Sequence, residues 1–356
     1  MEFFRKDNKR ALEAKNEAQR ITWGPFVFQS ARALRDLGIL KMVEDAGDDG
    51  VALETISSQL QLSVYGVRVL LEAGLGIGLV YQNPSDHYVL TKTGYFLLHD
   101  EMTKVNMNFV HDVCYQGMFH LKESIQNGKP EGLKVLGDWP TVYEGLSQLP
   151  AEIQKSWFGF DHFYSDISFP VVMPILFKHK PKMIFDVGGN TGKFSIQCAK
   201  YDPSVKVTIV DLPGQVGMAS RNIAEHGLQD RVFFHPTDLL DPNAAFPKGA
   251  DAVWMSQFLD CFSEEQIISI LTRAKEAIGP DGAIYILETY WDRQKFEAAA
   301  FSLQQTSLYF TAIANGNSQM YHSKNMISCV HKAGLYVEED TDDIGICHTL
   351  FRCKKK

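Results

Sequence analysis

Between Lys182 and Cys353, short apolar runs and helical stretches take turns, and that alternation constrains the fold more than any other feature of the chain. The runs KMIFDV (182–187), KVTIVD (206–211), RVFF (231–234), ADAVWM (250–255) and AIYILE (283–288) are nearly continuous in apolar residues and rich in β-branched ones. Strands of that kind are buried on both faces. Strand followed by helix, repeated, builds a parallel sheet with helices packed on each side. Between the fourth and fifth runs, Ile267, Leu271, Ala274 and Ile278 recur at helical spacing; Ser263 stands ahead of them as a cap, and Gly279 is expected to end that helix. Two late runs, GLYVEED and CHTLFRC, have no helix between them and predict an antiparallel pair closing one edge.

The first 170 residues follow a different pattern and read as mainly helical. ALRDLGIL predicts one amphipathic helix. ALETISSQLQLSVYGVRVLLEAG predicts helix, turn, helix, with Ser63 as the second cap, and GLVYQNPSDHYVLTKTG predicts a hairpin turning at Asn83-Pro84-Ser85-Asp86. That order is a winged helix, a shape often used on DNA. From Lys41 to Asp100 the charges oppose such a use: three basic residues (Lys41, Arg68, Lys92) face eight acidic ones, a net of −5. A surface that must neutralise phosphates needs the reverse. Dimerisation or covering a substrate is the expected role.

The whole chain carries 43 acidic and 35 basic side chains, a net of −8, which argues against binding polyanions or acidic lipid. No apolar run approaches the roughly 18 residues of a membrane span. The opening twenty residues are charged and lack the apolar stretch of a secretory leader. The six cysteines show neither C-x-x-C nor metal-ligand spacing and read as reduced thiols. A cytoplasmic protein without a metal, bound to neither membrane nor nucleic acid, is expected.

After the first strand comes a loop with three glycines in five residues: Gly188, Gly189 and Gly192, preceded by Asp186. Ligands of open α/β sheets sit beyond such strand ends. Glycine lets the backbone approach a ligand and adopt positive φ, and Asn190 tolerates that geometry better than most residues. The spacing departs from the G-x-G-x-x-G of dinucleotide sites, and no G-K-[ST] follows. Asp211 ends the second strand, 19 residues after Gly192, where a carboxylate can accept bonds from both hydroxyls of a ribose. Asp238, after the third strand, is placed to meet an adenine amino group, itself or through the neighbouring backbone. Three acids above a glycine loop make an anionic rim that suits a sulfonium cation and repels a pyrophosphate. Loop acids that merely cap turns are the plainer alternative.

FDVGGNTG, VDLP and TDLLD together resemble the class I S-adenosylmethionine-dependent methyltransferases, and more narrowly the plant and bacterial small-molecule O-methyltransferases. The likeness spans nearly the whole chain, from the winged helix through WPTVYEGLSQLP to the closing HKAGL. It implies an α/β fold: a Rossmann-like methyltransferase sheet over 176–356, a mainly helical winged-helix dimerisation domain over 1–105, and a helical linker or substrate lid over 106–175. It implies a homodimer, S-adenosylmethionine as cofactor, and an aromatic or otherwise hydrophobic acceptor enclosed by helices near 155–176 and the partner's N-terminus. On that likeness Asp186, Gly188, Gly189 and Gly192 hold the methionine part, Asp211 and Leu212 the ribose, and Asp238 and Leu239 the adenine, while Ser256 takes the place of a family lysine.

The chain departs from the family where the chemistry lies. The family's K-W-x-x-H-D-W, whose histidine takes the acceptor's proton, reads WMSQFLDCF here, with Asp260 at the histidine position. Glu288 matches the first supporting acid; the second falls near Met320 and is absent. A phenol ionises near pH 10 and needs a base at neutral pH, whereas a free aspartate is too weak unless burial raises its proton affinity. Asp260 reads as a retuned base, a substrate anchor or a structural cap. His322, beside the lost acid, and then His162, His111 and His120 are the substitutes for the missing histidine, each equally readable as a packing residue. Trp157, Phe158, Phe160, Phe163, Tyr164, Phe169, Tyr309 and Phe310 line either an acceptor pocket or the core. The other readings are a member that binds the cofactor with altered chemistry, a nicotinamide dehydrogenase, and a ligand-sensing winged-helix regulator.

Overall fold

A computed structural model describes residues 3–356, which fall into two compact units, one ending at Val110 and the other starting at His111. In the first unit the helices Leu53–Leu60 and Val64–Ile77 are followed by strands β1 (Val80–Gln82) and β2 (Tyr88–Leu90). Ser63 caps the second helix, its hydroxyl accepting from the amide of Gly66 at 3.0 Å. The hairpin turns where expected: the Asp86 amide donates to the Asn83 carbonyl at 3.0 Å, and β1 and β2 pair antiparallel. Leu34, Leu40, Ile56, Val67 and Leu71 form the core of this unit.

One local expectation fails here. ALRDLGIL is not a single helix. The helix Gly24–Asp36 stops, Gly38 takes φ +78°, and a new helix runs Ile39–Asp45. A glycine in the left-handed region ends a helix at little cost, and its amide returns to the Arg35 carbonyl at 3.0 Å.

The second unit is built on a seven-stranded sheet: β3 (Met183–Val187), β4 (Lys206–Asp211), β5 (Val232–Pro236), β6 (Ala250–Ser256), β7 (Ile278–Glu288), β8 (Leu335–Ile344) and β9 (His348–Lys355). The order is β5-β4-β3-β6-β7-β9-β8; the first five are parallel, and β9 runs antiparallel to both its neighbours. The late antiparallel pair therefore forms as expected, with the last strand inserted inside the first. Successive residues of a strand point to opposite faces. Val253 and Met255 join one core with Ile267, Leu271, Met326 and Val330; Ala252 and Trp254 join the other with Val172, Leu176, Phe194 and Ile223. Both faces are covered, which is why the strands are apolar throughout.

The helix after β6, Glu264–Ala277, starts on the predicted Ser263 cap but does not end at Gly279. Ile278 already pairs with Ala250, so strand follows helix without a loop, and the glycine lies inside β7. Pairing with β6 overrides the local stop signal.

Chain order reverses between β3 and β6. From β3 the sheet grows outward through β4 and β5, then returns to add β6 and β7 on the other side. The loops leaving β3 and β6 part at that point and leave a crevice beyond the strand ends. Asp186 and the glycine loop leave β3; Ser256 and the segment carrying Asp260 leave β6.

Candidate active site

The glycine loop is held by its own backbone. Gly188 (φ +71°), Asn190 (φ +50°) and Gly192 (φ +80°) all lie in the left-handed region. The Gly188 amide donates to the Val210 carbonyl at 2.9 Å and the Gly192 amide to the Gly189 carbonyl at 2.7 Å. A Cβ on Gly188 would stand 2.3 Å from Cδ2 of Phe258, and one on Gly189 3.0 Å from a carboxylate oxygen of Asp186. Close approach thus requires glycine at 188 and leaves little room at 189, and Phe258 packs the β6 loop directly onto the β3 loop.

The acids that the sequence singles out have distinct surroundings. Asp186 is buried and accepts the Ser195 hydroxyl at 2.6 Å; burial, together with the Asp211 charge, pushes its carboxyl up to about 7. Asp211 accepts the Asn190 amide at 2.8 Å and the Leu212 amide at 2.7 Å, and burial pushes it up to about 6 against those two bonds. Each of its oxygens keeps a lone pair free. Asp238 is exposed and accepts the Leu240 amide at 2.8 Å, a turn within its own loop. Leu239 is buried, its carbonyl taken by Arg273 at 2.6 Å. The Ser256 hydroxyl and the Asn190 side-chain carbonyl are buried without a partner.

Asp260 and Glu288 meet. Asp260 sits on a short turn, Leu259–Cys261, and is 5% exposed; Glu288 ends β7 and is 1% exposed. One Glu288 oxygen accepts the amides of Phe258 at 3.0 Å and Leu259 at 2.8 Å, tying down the loop that carries Asp260. Its other oxygen has no partner. Burial pushes the Asp260 carboxyl up to about 7, with the Asp161 charge adding to the rise. Glu288 is held well above the usual carboxylate range by burial and by the Asp260 charge. Both carboxyls are thus pushed toward the protonated form, Glu288 with the Asp260 charge adding to its burial.

The histidines go elsewhere. His322 caps the helix Ser323–Lys332: its Nδ1 accepts the Lys324 amide at 3.1 Å and lies 3.3 Å from Asp292, with Trp291 edge-on to its ring. It is engaged in that cap rather than with the carboxyl pair. The Met320 sulfur accepts the Thr289 hydroxyl at 3.4 Å. The His162 ring lies tilted against Phe158 with its Nε2 3.9 Å from Asp161, while His111 contacts Asp112 and His120 contacts Glu123.

Further residues, Asp161 and Asn315 among them without any signal in the sequence, surround these groups. Asp161, on the helix Ala151–Phe177, accepts the Asn190 side-chain amide at 3.2 Å, and burial raises its carboxyl to about 6. The Cys261 thiol lies 3.4 Å from Asp260, and Asn315 grips the Cys261 carbonyl at 2.5 Å. Trp157, named among the aromatics, donates its indole N–H to the Tyr309 hydroxyl at 2.8 Å.

Residues 15–88 match the family described as Dimerisation2-like domain, and residues 165–334 match the O-methyltransferase domain. The chain is 23% identical over 321 residues to an L-tyrosine C(3)-methyltransferase of Streptomyces lavendulae, spanning 89% of this chain and 86% of that one. It is 33% identical over 115 residues to a 3-hydroxy-5-methyl-1-naphthoate 3-O-methyltransferase of Streptomyces sahachiroi, 32% of each chain. Among solved structures, the apo form of the S-adenosylmethionine-dependent methyltransferase SibL superposes with a TM-score of 0.71 at 23% identity, over 94% of this chain and 98% of that one.

Proposed function

The chain belongs to the methyltransferase family that places a Dimerisation2-like domain ahead of an O-methyltransferase domain, and on that premise we propose that it transfers a methyl group from S-adenosylmethionine to an oxygen of an aromatic or polyketide-like small molecule. The fit to that cofactor rests on this chain's own residues. The loop has no side chain at Gly188 or Gly189, Asp211 keeps lone pairs free for a ribose, and the orphaned Ser256 hydroxyl and Asn190 carbonyl are acceptors short of a donor. A buried polar atom without a partner costs stability, and a ligand that supplies the bond removes the cost. Asp238 and Leu239 are assigned to the adenine end. A homodimer formed through the N-terminal unit is part of the same reading.

When bound, S-adenosylmethionine supplies an electrophilic methyl group on a sulfonium. The protein's share is position and proton transfer. The observation that carries the reading is Asp260: a buried carboxyl, poised near neutral pH, on a loop that Phe258 packs against the glycine turn. Asp260 takes the hydroxyl proton of the acceptor. Glu288 fixes that loop through the Phe258 and Leu259 amides. Ring-carbon methylation beside a hydroxyl is the second reading, favoured by the long match to a tyrosine C-methyltransferase; it uses the same deprotonation, and mass fragmentation of the product separates the two.

The cofactor is tested by melting the protein with S-adenosylhomocysteine and with NAD. A ligand at 100 times its dissociation constant adds about 2.7 kcal/mol of stability. The nucleoside is expected to raise the melting temperature and NAD to leave it unchanged; the reverse result sinks the assignment.

A further inference from the structure

We propose that Arg273 is the positioning residue of the adenine end of the cofactor site: its guanidinium sets the shape of the loop that carries Asp238 and Leu239, and with it the preference for adenine over a 6-oxo purine. The inference rests on the assignment of those two residues to the adenine above.

The loop needs a hold from outside itself. Between β5 and β6 the chain runs over 237–249 without helix or strand. Its own bonds are short-range turns: the Asp238 carboxylate accepts the Leu240 amide at 2.8 Å, the Asp241 carboxylate accepts the Asn243 amide at 2.9 Å, and the Ala244 amide donates to the Asp241 carbonyl at 3.0 Å. Such bonds shape each turn but leave one turn free to swing against the next. Two apolar side chains, Leu239 and Phe246, enter the same core as Ile270, Leu271 and Ala274 of the helix Glu264–Ala277. Arg273, on that helix, adds the polar hold. One of its terminal nitrogens donates to the Leu239 carbonyl at 2.6 Å; the other donates to the carbonyls of Asp241 at 3.1 Å and Ala244 at 2.8 Å. A planar guanidinium presents its N–H groups in a rigid fork, so three carbonyls gripped at once are held in one relative arrangement.

The other end of this loop is tied to the ribose acid. The Thr237 amide donates to the Asp211 carbonyl at 2.8 Å, and β5 pairs Pro236 with Asp211. Asp238 therefore lies between two fixed points, the Thr237 bond to Asp211 and the Leu239 bond to Arg273. One of its oxygens holds the Leu240 amide, which leaves the other for a donor. The 6-amino group of adenine is such a donor, whereas the 6-oxo group of hypoxanthine turns lone pairs toward the carboxylate. A loop released from the guanidinium keeps Asp238 but loses its aim.

The test is calorimetry of the full-length protein with S-adenosylhomocysteine and S-inosylhomocysteine. Wild type is expected to bind the adenine nucleoside tighter by on the order of tenfold or more, the worth of one hydrogen bond made against one left unpaired. Arg273→Lys keeps the charge and loses the fork. It is expected to weaken S-adenosylhomocysteine by on the order of tenfold and S-inosylhomocysteine much less, so that the preference collapses. A merely structural arginine would lower both affinities alike. Equal losses for the two nucleosides, an undiminished preference in Arg273→Lys, or equal binding of both by wild type overturns the proposal. In wild type, S-adenosylhomocysteine is also expected to slow amide exchange over 238–245 more than S-inosylhomocysteine does; identical exchange overturns the proposal without any variant. Asp238→Asn separates this inference from the assignment beneath it. If that variant keeps the wild-type preference, the adenine end is misassigned and the proposal falls with it. If it erases the preference while Arg273→Lys does not, only the role of Arg273 fails. Wild type that binds neither nucleoside sinks the cofactor reading itself.

Discussion

Asp260→Asn is expected to lower kcat by about 10²–10⁴-fold, the usual contribution of a positioned general base, while raising the melting temperature. Asparagine keeps the shape of the side chain and loses the proton acceptor. The gain in stability follows from the direction of the shift. In the folded protein burial pushes Asp260 up to about 7, whereas in the unfolded chain it ionises near the ordinary aspartate value of 3.8. Between those values the native state holds a proton that the unfolded state has lost. Stability then falls as pH rises from about 4 to about 7, and above 7 the full cost of the buried charge is present. Activity runs the other way, since the base works only when deprotonated: kcat/KM is expected to climb with pH and level off above about 7. A pH series of melting temperature and of turnover, for wild type and Asp260→Asn, reads both slopes. A variant that retains turnover, or a wild-type profile flat from pH 5 to 8, removes Asp260 from the reaction.

Gly188→Val is expected to abolish cofactor binding and to destabilise the second unit by ~2–5 kcal/mol, from left-handed strain at a β-branched residue plus overpacking. The φ of +71° is unfavourable for any side chain, and a Cβ there would stand 2.3 Å from the Phe258 ring. Because Phe258 belongs to the loop whose amides Glu288 holds, displacing the ring also moves Asp260. The two contributions separate in a double-mutant cycle of Gly188→Ala with Phe258→Ala. Removing the ring relieves the clash and leaves the backbone strain, so the double variant is expected to melt above the sum of the single effects. Additivity would mean that the ring and the glycine do not touch.

The departures from the sequence reading share one cause. At ALRDLGIL the apolar spacing alone runs straight through Gly38, but the chain has to turn so that both Leu34 and Leu40 reach one core. At Gly279 the stop signal is real, yet the edge of β6 offers backbone partners one residue earlier. His322 reads in the sequence as a substitute base; in three dimensions its Nδ1 caps a helix beside Asp292. Asp161 carried no recognisable spacing, since its partner Asn190 lies 29 residues further along the chain.

What the sequence by itself determined was the local grammar: five parallel strands apolar on both faces, a glycine loop that demands positive φ, and an acid at the end of each of the first two strands. These are properties of short stretches and of backbone geometry, so neighbouring residues suffice to encode them. Only the tertiary structure decided which of the acids burial pushes toward the protonated form, that Glu288 grips the loop of Asp260 through two amides, and that Asp161 holds Asn190 of the glycine loop. Proton affinity depends on how completely water is excluded and on which charges stand nearby, and both are fixed by segments far apart in the chain that meet only after folding.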